Sequence, residues 1–134
     1  MLTKIDHIGI AVRSIEDSLP YYRDQLHMEY MGTEVVAEQN VKVAFFQLGE
    51  SSIELLEPTS EDSAVAKFLH KNGPGIHHIA YAVEDIASTL KNLAAQGVRL
   101  IDTHPRNGAH GAKIAFIHPQ SSGGVLTELC QPGH

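Results

Sequence analysis

Two stretches decide the fold: Ile5-Asp6-His7-Ile8-Gly9-Ile10-Ala11-Val12-Arg13-Ser14-Ile15 and Ile76-His77-His78-Ile79-Ala80-Tyr81-Ala82-Val83-Glu84-Asp85-Ile86. Aligned, they match at Ile5/Ile76, His7/His78, Ile8/Ile79, Ala11/Ala82, Val12/Val83 and Ile15/Ile86, at a constant offset of 71, about half of the 134 residues. Each copy runs on into apolar positions at helical spacing, Ile15, Leu19, Tyr22 and Leu26 in the first and Ile86, Leu90 and Leu93 before Gly97 in the second. A period this long is half a domain rather than a solenoid repeat. The chain therefore reads as two copies of one β-α-β-β-β module in a single α+β domain.

Punctuation assigns the remaining elements. Ser14-Ile15-Glu16-Asp17 has the look of a capping box and starts the first helix, which Pro20 must kink or delay because it lacks a backbone donor. Strands are expected near 29–37, at Val41–Leu48 and at Ser52–Leu56, with Gly49 and Pro58 as breaks. Module one covers about 1–60. A linker helix near 62–73, with Val65, Phe68 and Leu69 on one face, stops at Gly73-Pro74. Module two, about 74–134, repeats the order with a strand at 76–83, a helix at 85–96, and strands near 98–102, at 113–118 and at 124–130.

Strand alternation decides which histidines can share a surface. Ile8, Ile10 and Val12 form the bulky set that faces the covering helix, leaving His7, Gly9 and Ala11 on the other side; Ile79, Tyr81 and Val83 separate from His78, Ala80 and Ala82 in the same way. The small neighbours leave an open concavity beside each imidazole. His77 has the opposite parity and faces solvent or the helix layer. A lone histidine in a strand is commonly just a satisfied half-buried residue, but equivalent histidines in a repeat point to a shared purpose. Glu54 and Glu128 each lie inside the last strand of a module. A carboxylate buried there needs a partner, whether a salt bridge, water at a sheet edge, or a metal. Two histidines and two glutamates make an N and O donor set suited to a divalent transition metal (Co²⁺, Ni²⁺, Mn²⁺, Zn²⁺ or Fe²⁺) and atypical of Mg²⁺ or Ca²⁺.

Composition narrows the function classes. Hydrophobic residues at 43% and charged residues at 19% are ordinary globular values. No stretch approaches a membrane span of about 20 apolar residues, and no secretory leader pattern opens the chain, so a cytoplasmic protein is expected. A net charge of −6 without a Lys/Arg cluster argues against nucleic acid as a partner. Cys130 is the single cysteine, which excludes an internal disulfide and a multi-cysteine zinc site.

Paired β-α-β-β-β modules with a histidine near each start and a glutamate near each end resemble the vicinal-oxygen-chelate superfamily, which includes glyoxalases and extradiol dioxygenases. Within it the chain is most similar to the methylmalonyl-CoA epimerase family. The likeness rests on Ile5 to Val12, Glu54-Leu55-Leu56-Glu57-Pro58, Gly75 to Ile79, and above all Asn107-Gly108-Ala109-His110-Gly111, Phe116-Ile117-His118-Pro119 and Gly123 to Leu129. It implies a curved mixed sheet around one metal per chain, with Co²⁺ favoured, held by His7, Glu54, His78 and Glu128. It also implies an acyl-CoA thioester substrate, interconversion of its (R) and (S) forms through a metal-stabilised enolate, and Glu128 as a catalytic proton carrier. Gln39, Gly108, His110, Gly111 and Gly123 would touch substrate, and His118 would do so or shape a loop. A second glutamate found in some relatives falls near Val43 here, which leaves the second proton carrier to a bound water, a shifted Glu38 or another residue. Exposed sheet edges suggest a homodimer. A glyoxalase-type isomerase (lactoylglutathione lyase) would keep the four ligands. An extradiol dioxygenase would need Fe²⁺ and an open site with one carboxylate, and a non-enzymatic binding protein would not need all four ligands.

Overall fold

The structure is a computed structural model that describes residues 1–133. The chain forms two compact units: one is His7–His77, and the other combines Met1–Asp6 with the chain from His78 onward. The strand β1 (Leu2–Ala11) contributes to both.

In the first unit β1 is followed by a helix α1 (Ile15–Leu19), strands β2 (Glu29–Val36), β3 (Val41–Leu48) and β4 (Ser51–Pro58), and a helix α2 (Ala64–Asn72). The strand order is β2-β3-β4-β1, with β4 parallel to β1 and the other pairs antiparallel. Val12, Ile15, Ala44, Phe46 and Leu55 form its core, with Ile10, Leu19, Tyr22 and Ile53 packed around them. The helix-facing parity read from the sequence is thus the one found. Ser14 caps α1, its hydroxyl accepting from the Asp17 amide at 3.1 Å. The Ile15 amide donates to Glu57 Oε1 at 2.7 Å, so a carboxylate three residues beyond Glu54 closes the start of the same helix. Pro20 then has the expected effect. The chain widens into a π-helix over Pro20–Gln25, and the Leu26 amide reaches back five residues to the Tyr21 carbonyl.

The second unit contains β5 (Gly75–Val83, from His78 onward), α3 (Ile86–Ala95), β6 (Arg106–Asn107), β7 (Lys113–Ile117) and β8 (Thr127–Gln131). Its order is β5-β8-β7-β6, and β5 and β8 run parallel. The Thr3 hydroxyl, on β1, donates to the Ala82 carbonyl at 3.3 Å. Val83, Ile86, Leu90, Ala115, Ile117 and Leu129 form the core. Asp85 caps α3 through Ser88, and the Ile86 amide donates to Gln131 Oε1 at 2.9 Å, three residues beyond Glu128. The repeat therefore extends to how each helix start is satisfied.

The expected strand near 98–102 is corrected. Only an isolated bridge from Leu100 to Ile117 forms, and the paired segment is Arg106–Asn107. The amides of Ile101 and Asp102 both turn onto the Phe116 carbonyl, and the Asp102 carboxylate accepts the Phe116 amide at 2.8 Å. An aspartate side chain thus takes the place of the backbone ladder and ends the pairing.

Candidate metal centre

Register places the ligand candidates. In the first unit Gly9 of β1 lies opposite Glu54 of β4, so Glu54 projects on the face of His7, Gly9 and Ala11, while Ile53 and Leu55 project into the core. His7 Nδ1 lies 3.1 Å from Glu54 Oε2, with side chains 6% and 13% exposed. In the second unit Ala80 lies opposite Glu128, which puts Glu128 on the face of His78. His78 Nε2 lies 3.3 Å from Glu128 Oε1, with side chains 4% and 5% exposed. The structure thus brings together His7 with Glu54 and His78 with Glu128, one imidazole and one carboxylate per module, on equivalent strands.

The surroundings correct one expectation. The small-residue face, read from the sequence as the open one, is the more enclosed: His7, Gly9 and Ala11 are buried, whereas Ile8 and Ile10 are half-buried. The cause within the unit is that Val43, Phe45 and Leu56, all buried, stand on the same face through the β3–β4 register. In the second unit His78 meets the Phe116 ring edge to face, with centroids 5.6 Å apart, and the Arg106 guanidinium lies over that ring at 5.1 Å from its centroid. Arg106 is held there by Asp102, Nε to Oδ2 at 3.3 Å. His77 stacks edge to face on Phe68 of α2, the helix layer its parity called for.

The donor set fits a transition metal. Two ligands each about 2.0–2.2 Å from one ion are separated by roughly 2.9–3.5 Å in octahedral or tetrahedral arrangements. The N to O separations of 3.1 and 3.3 Å fall in that range. Glu128 at 4% exposure is a carboxylate removed from water, which asks for a compensating positive charge. Co²⁺, Zn²⁺, Ni²⁺, Mn²⁺ and Fe²⁺ all take this mixture of imidazole and carboxylate.

The other site residues expected from the sequence lie outside the long strands or at their ends. Gly108 is glycine because a Cβ there would stand 2.8 Å from Ile114 Cγ2. His110 and Gly111 have left-handed backbones (φ 54° and 71°) in a short 3₁₀ turn, and Gly123 (φ 76°) closes another. Gln39 ends the 3₁₀ turn after β2 and is half-buried. His118 shapes a loop, since its Nδ1 accepts the Gln120 amide at 3.0 Å. Three residues that sequence reasoning left without a role have one in the structure. Glu57 and Gln131 tie each helix to the strand that carries its module's glutamate, and the signal was their equal spacing of three from Glu54 and Glu128. Arg106 is the third, and no pattern marked it.

Comparison with known proteins agrees with this architecture. The family model described as Glyoxalase/Bleomycin resistance protein/Dioxygenase superfamily matches residues 6–116. The ethylmalonyl-CoA/methylmalonyl-CoA epimerase of Cereibacter sphaeroides is 39% identical over 133 residues, 98% of this chain and 99% of the relative. A solved structure of methylmalonyl-CoA epimerase in complex with methylmalonyl-CoA and NH₄⁺ superposes with a TM-score of 0.95 at 42% identity, covering 99% of this chain and 96% of that one. The Mycobacterium tuberculosis methylmalonyl-CoA epimerase structure gives a TM-score of 0.95 at 38% identity over 99% of this chain and 90% of its own.

Proposed function

The chain belongs to the glyoxalase/bleomycin resistance protein/dioxygenase superfamily, and from that premise we propose that it is a metal-dependent methylmalonyl-CoA epimerase. It is an isomerase that interconverts the (R) and (S) forms of methylmalonyl-CoA. The observation that carries the reading is the pair of His–Glu contacts on equivalent strands of a repeat, in a chain that matches epimerases over nearly its whole length. His7, Glu54, His78 and Glu128 are the proposed ligands of a divalent ion, and Co²⁺ is the ion of choice.

Epimerisation removes a proton from the carbon between a thioester and a carboxylate and returns one to the opposite face. His7, Glu54, His78 and Glu128 would hold a divalent cation, which would supply Lewis acidity toward the developing negative charge. His7, Glu54 and His78 fix the donor geometry, each held by packing in a strand. Glu128 carries a proton at a carboxylate oxygen. A carboxylate that both held the ion and moved a proton would divide the two tasks between its two oxygens. Gln39, Gly108, His110, Gly111 and Gly123 contribute substrate contacts from the turns. The protein works as a cytoplasmic homodimer, which sedimentation velocity and cell fractionation test.

The decisive experiment incubates the metal-loaded protein with methylmalonyl-CoA in D₂O and follows both inversion and deuterium entry at the α-carbon, with lactoylglutathione formation from methylglyoxal and glutathione assayed in parallel. Epimerisation with α-deuteration and no lactoylglutathione is expected. Lactoylglutathione formation without α-exchange of methylmalonyl-CoA would instead make the protein a glyoxalase-type isomerase. Neither activity in a protein that binds methylmalonyl-CoA would leave a binding protein.

A further inference from the structure

Each module sets a phenylalanine opposite its glutamate: Phe45 of β3 lies across from Glu54 of β4, and Phe116 of β7 across from Glu128 of β8. The two phenylalanines are separated by 71 positions, the offset of the repeat. What surrounds Phe116 is not repeated. The amides of Ile101 and Asp102 donate to its carbonyl at 2.9 and 3.1 Å, and the Asp102 carboxylate accepts its amide at 2.8 Å. Arg106 lies opposite Ile114 and therefore on the face of Phe116. Its guanidinium stands 5.1 Å from the ring centroid, with Nε 3.3 Å from Asp102 Oδ2. At the offset of 71 the positions of Asp102 and Arg106 are taken in the first module by Met31 and Val35, which are uncharged and 58% and 61% exposed. The second module alone carries this clamp.

An ion pair for its own sake does not account for it. A pair that involves an arginine side chain 40% exposed contributes little, and this one leaves Arg106 Nε buried without a hydrogen bond, a cost that an arginine turned to water would avoid. The contact that offsets this cost is with Phe116, where the planar cation covers the ring. Phe116 passes the restraint on. Its ring meets the His78 imidazole with centroids 5.6 Å apart and planes at 87°, and His78 Nε2 lies 3.3 Å from Glu128 Oε1. Both rings are buried, and in a close-packed interior a ring that cannot tilt holds the ring against it. Asp102 offsets the charge of the guanidinium, so what reaches His78 is packing rather than field.

The epimerase reading gives proton transfer to the glutamate of this module only. A carboxylate that divides its oxygens between ligation and catalysis defines an ion's position poorly, so on that side the imidazole has to define it. Resting on that reading, we propose that Arg106, anchored by Asp102, is a positioning residue that fixes the His78 imidazole through Phe116 and keeps Nε2 in place for a divalent ion.

The test titrates Co²⁺ into metal-free protein and follows the dissociation constant and the d–d absorption band of the bound ion, neither of which requires turnover. Arg106→Gln removes the cation at a partly exposed site, so the fold should survive, and thermal melting of the metal-free protein checks this. The dissociation constant is expected to rise about tenfold, the size of effect that residues supporting a metal ligand commonly show, with a displaced d–d band. Arg106→Lys keeps a cation over the ring and restores the constant to within about threefold of the unsubstituted protein. Phe116→Leu weakens binding by itself, and adding Arg106→Gln to it has no further effect, because the arginine acts through the ring. An unchanged constant and band in folded Arg106→Gln overturns the proposal, and so do effects that multiply in the double variant. In a protein that binds Co²⁺ but does not epimerise methylmalonyl-CoA, the epimerase reading fails while the constants still decide the positioning role. Absence of Co²⁺ binding by the unsubstituted protein overturns both.

Discussion

His7 and His78 are equivalent in the repeat, yet they sit in different packing. His78 makes an edge-to-face contact with Phe116, and the strand neighbours of His7 are Gly9 and Ala11. Replacing either with alanine is expected to abolish metal binding and turnover in a folded protein, read by metal content and circular dichroism. His78→Ala should also cost about 0.5–1.5 kcal/mol of stability from the broken ring contact with Phe116. Wild-type metal stoichiometry in either variant would refute the ligand assignment. The two glutamates should also diverge. Glu128→Gln keeps a neutral oxygen of similar size, so the metal is largely retained while α-proton exchange falls by about 10²-fold or more. Glu54→Gln is expected to keep substantial turnover, because the role proposed for Glu54 is ligation alone and glutamine keeps an oxygen donor. Near-normal exchange by metal-loaded Glu128→Gln would reduce Glu128 to a ligand.

At the scale of elements, each module ties its helix to its last strand through one side chain, Glu57 to the Ile15 amide and Gln131 to the Ile86 amide. These bonds satisfy donors that a helix start otherwise leaves to water. Glu57→Ala and Gln131→Ala should each cost about 0.5–2 kcal/mol, with Glu57 the larger because a charged acceptor at a helix N-terminus adds a dipole interaction. Thermal melts check the order, and added salt should narrow the difference by screening the charge. Metal stoichiometry should stay unchanged in both. Lost metal in Glu57→Ala with little change in melting temperature would show that this contact positions Glu54 rather than closing the helix.

At the scale of the molecule, an ion held as proposed would link folding to ligation. The four proposed ligands are separated by up to 121 positions in sequence, from His7 to Glu128, so an unfolded chain offers no preformed site and a metal held by them would bind the folded state selectively. At a free Co²⁺ concentration about 100 times the Kd, the stabilisation is about 2.7 kcal/mol, which corresponds to roughly 5–10 °C in melting temperature for a chain of this size. Chelation should lower the melting temperature by that amount and re-addition of Co²⁺ should restore it, with the stabilisation absent from His7→Ala. An unchanged melting temperature on chelation would mean that the half-sites do not hold a metal.

The offset of 71 between His7 and His78 made the module order legible, because a duplicated unit writes its strand and helix periods twice in the sequence. Parity then separated His7 from Ile8 and His78 from Ile79, since alternation is a local property of a strand. The expected strand near 98–102 failed for a nonlocal reason: the Asp102 carboxylate captures the Phe116 amide, a bond between residues 14 apart that no local pattern contains. The enclosure of the small-residue face was likewise decided by neighbours on β3 and β4. Arg106 is the plainest case. Its residue type was readable, but its place over Phe116 depends on pairing opposite Ile114, and a register is a relation between two strands that neither sequence states alone. The sequence by itself determined the modules, the four ligand candidates and the family they resemble. Only the tertiary structure decided which cation lies over Phe116, because side-chain direction in a sheet follows from pairing.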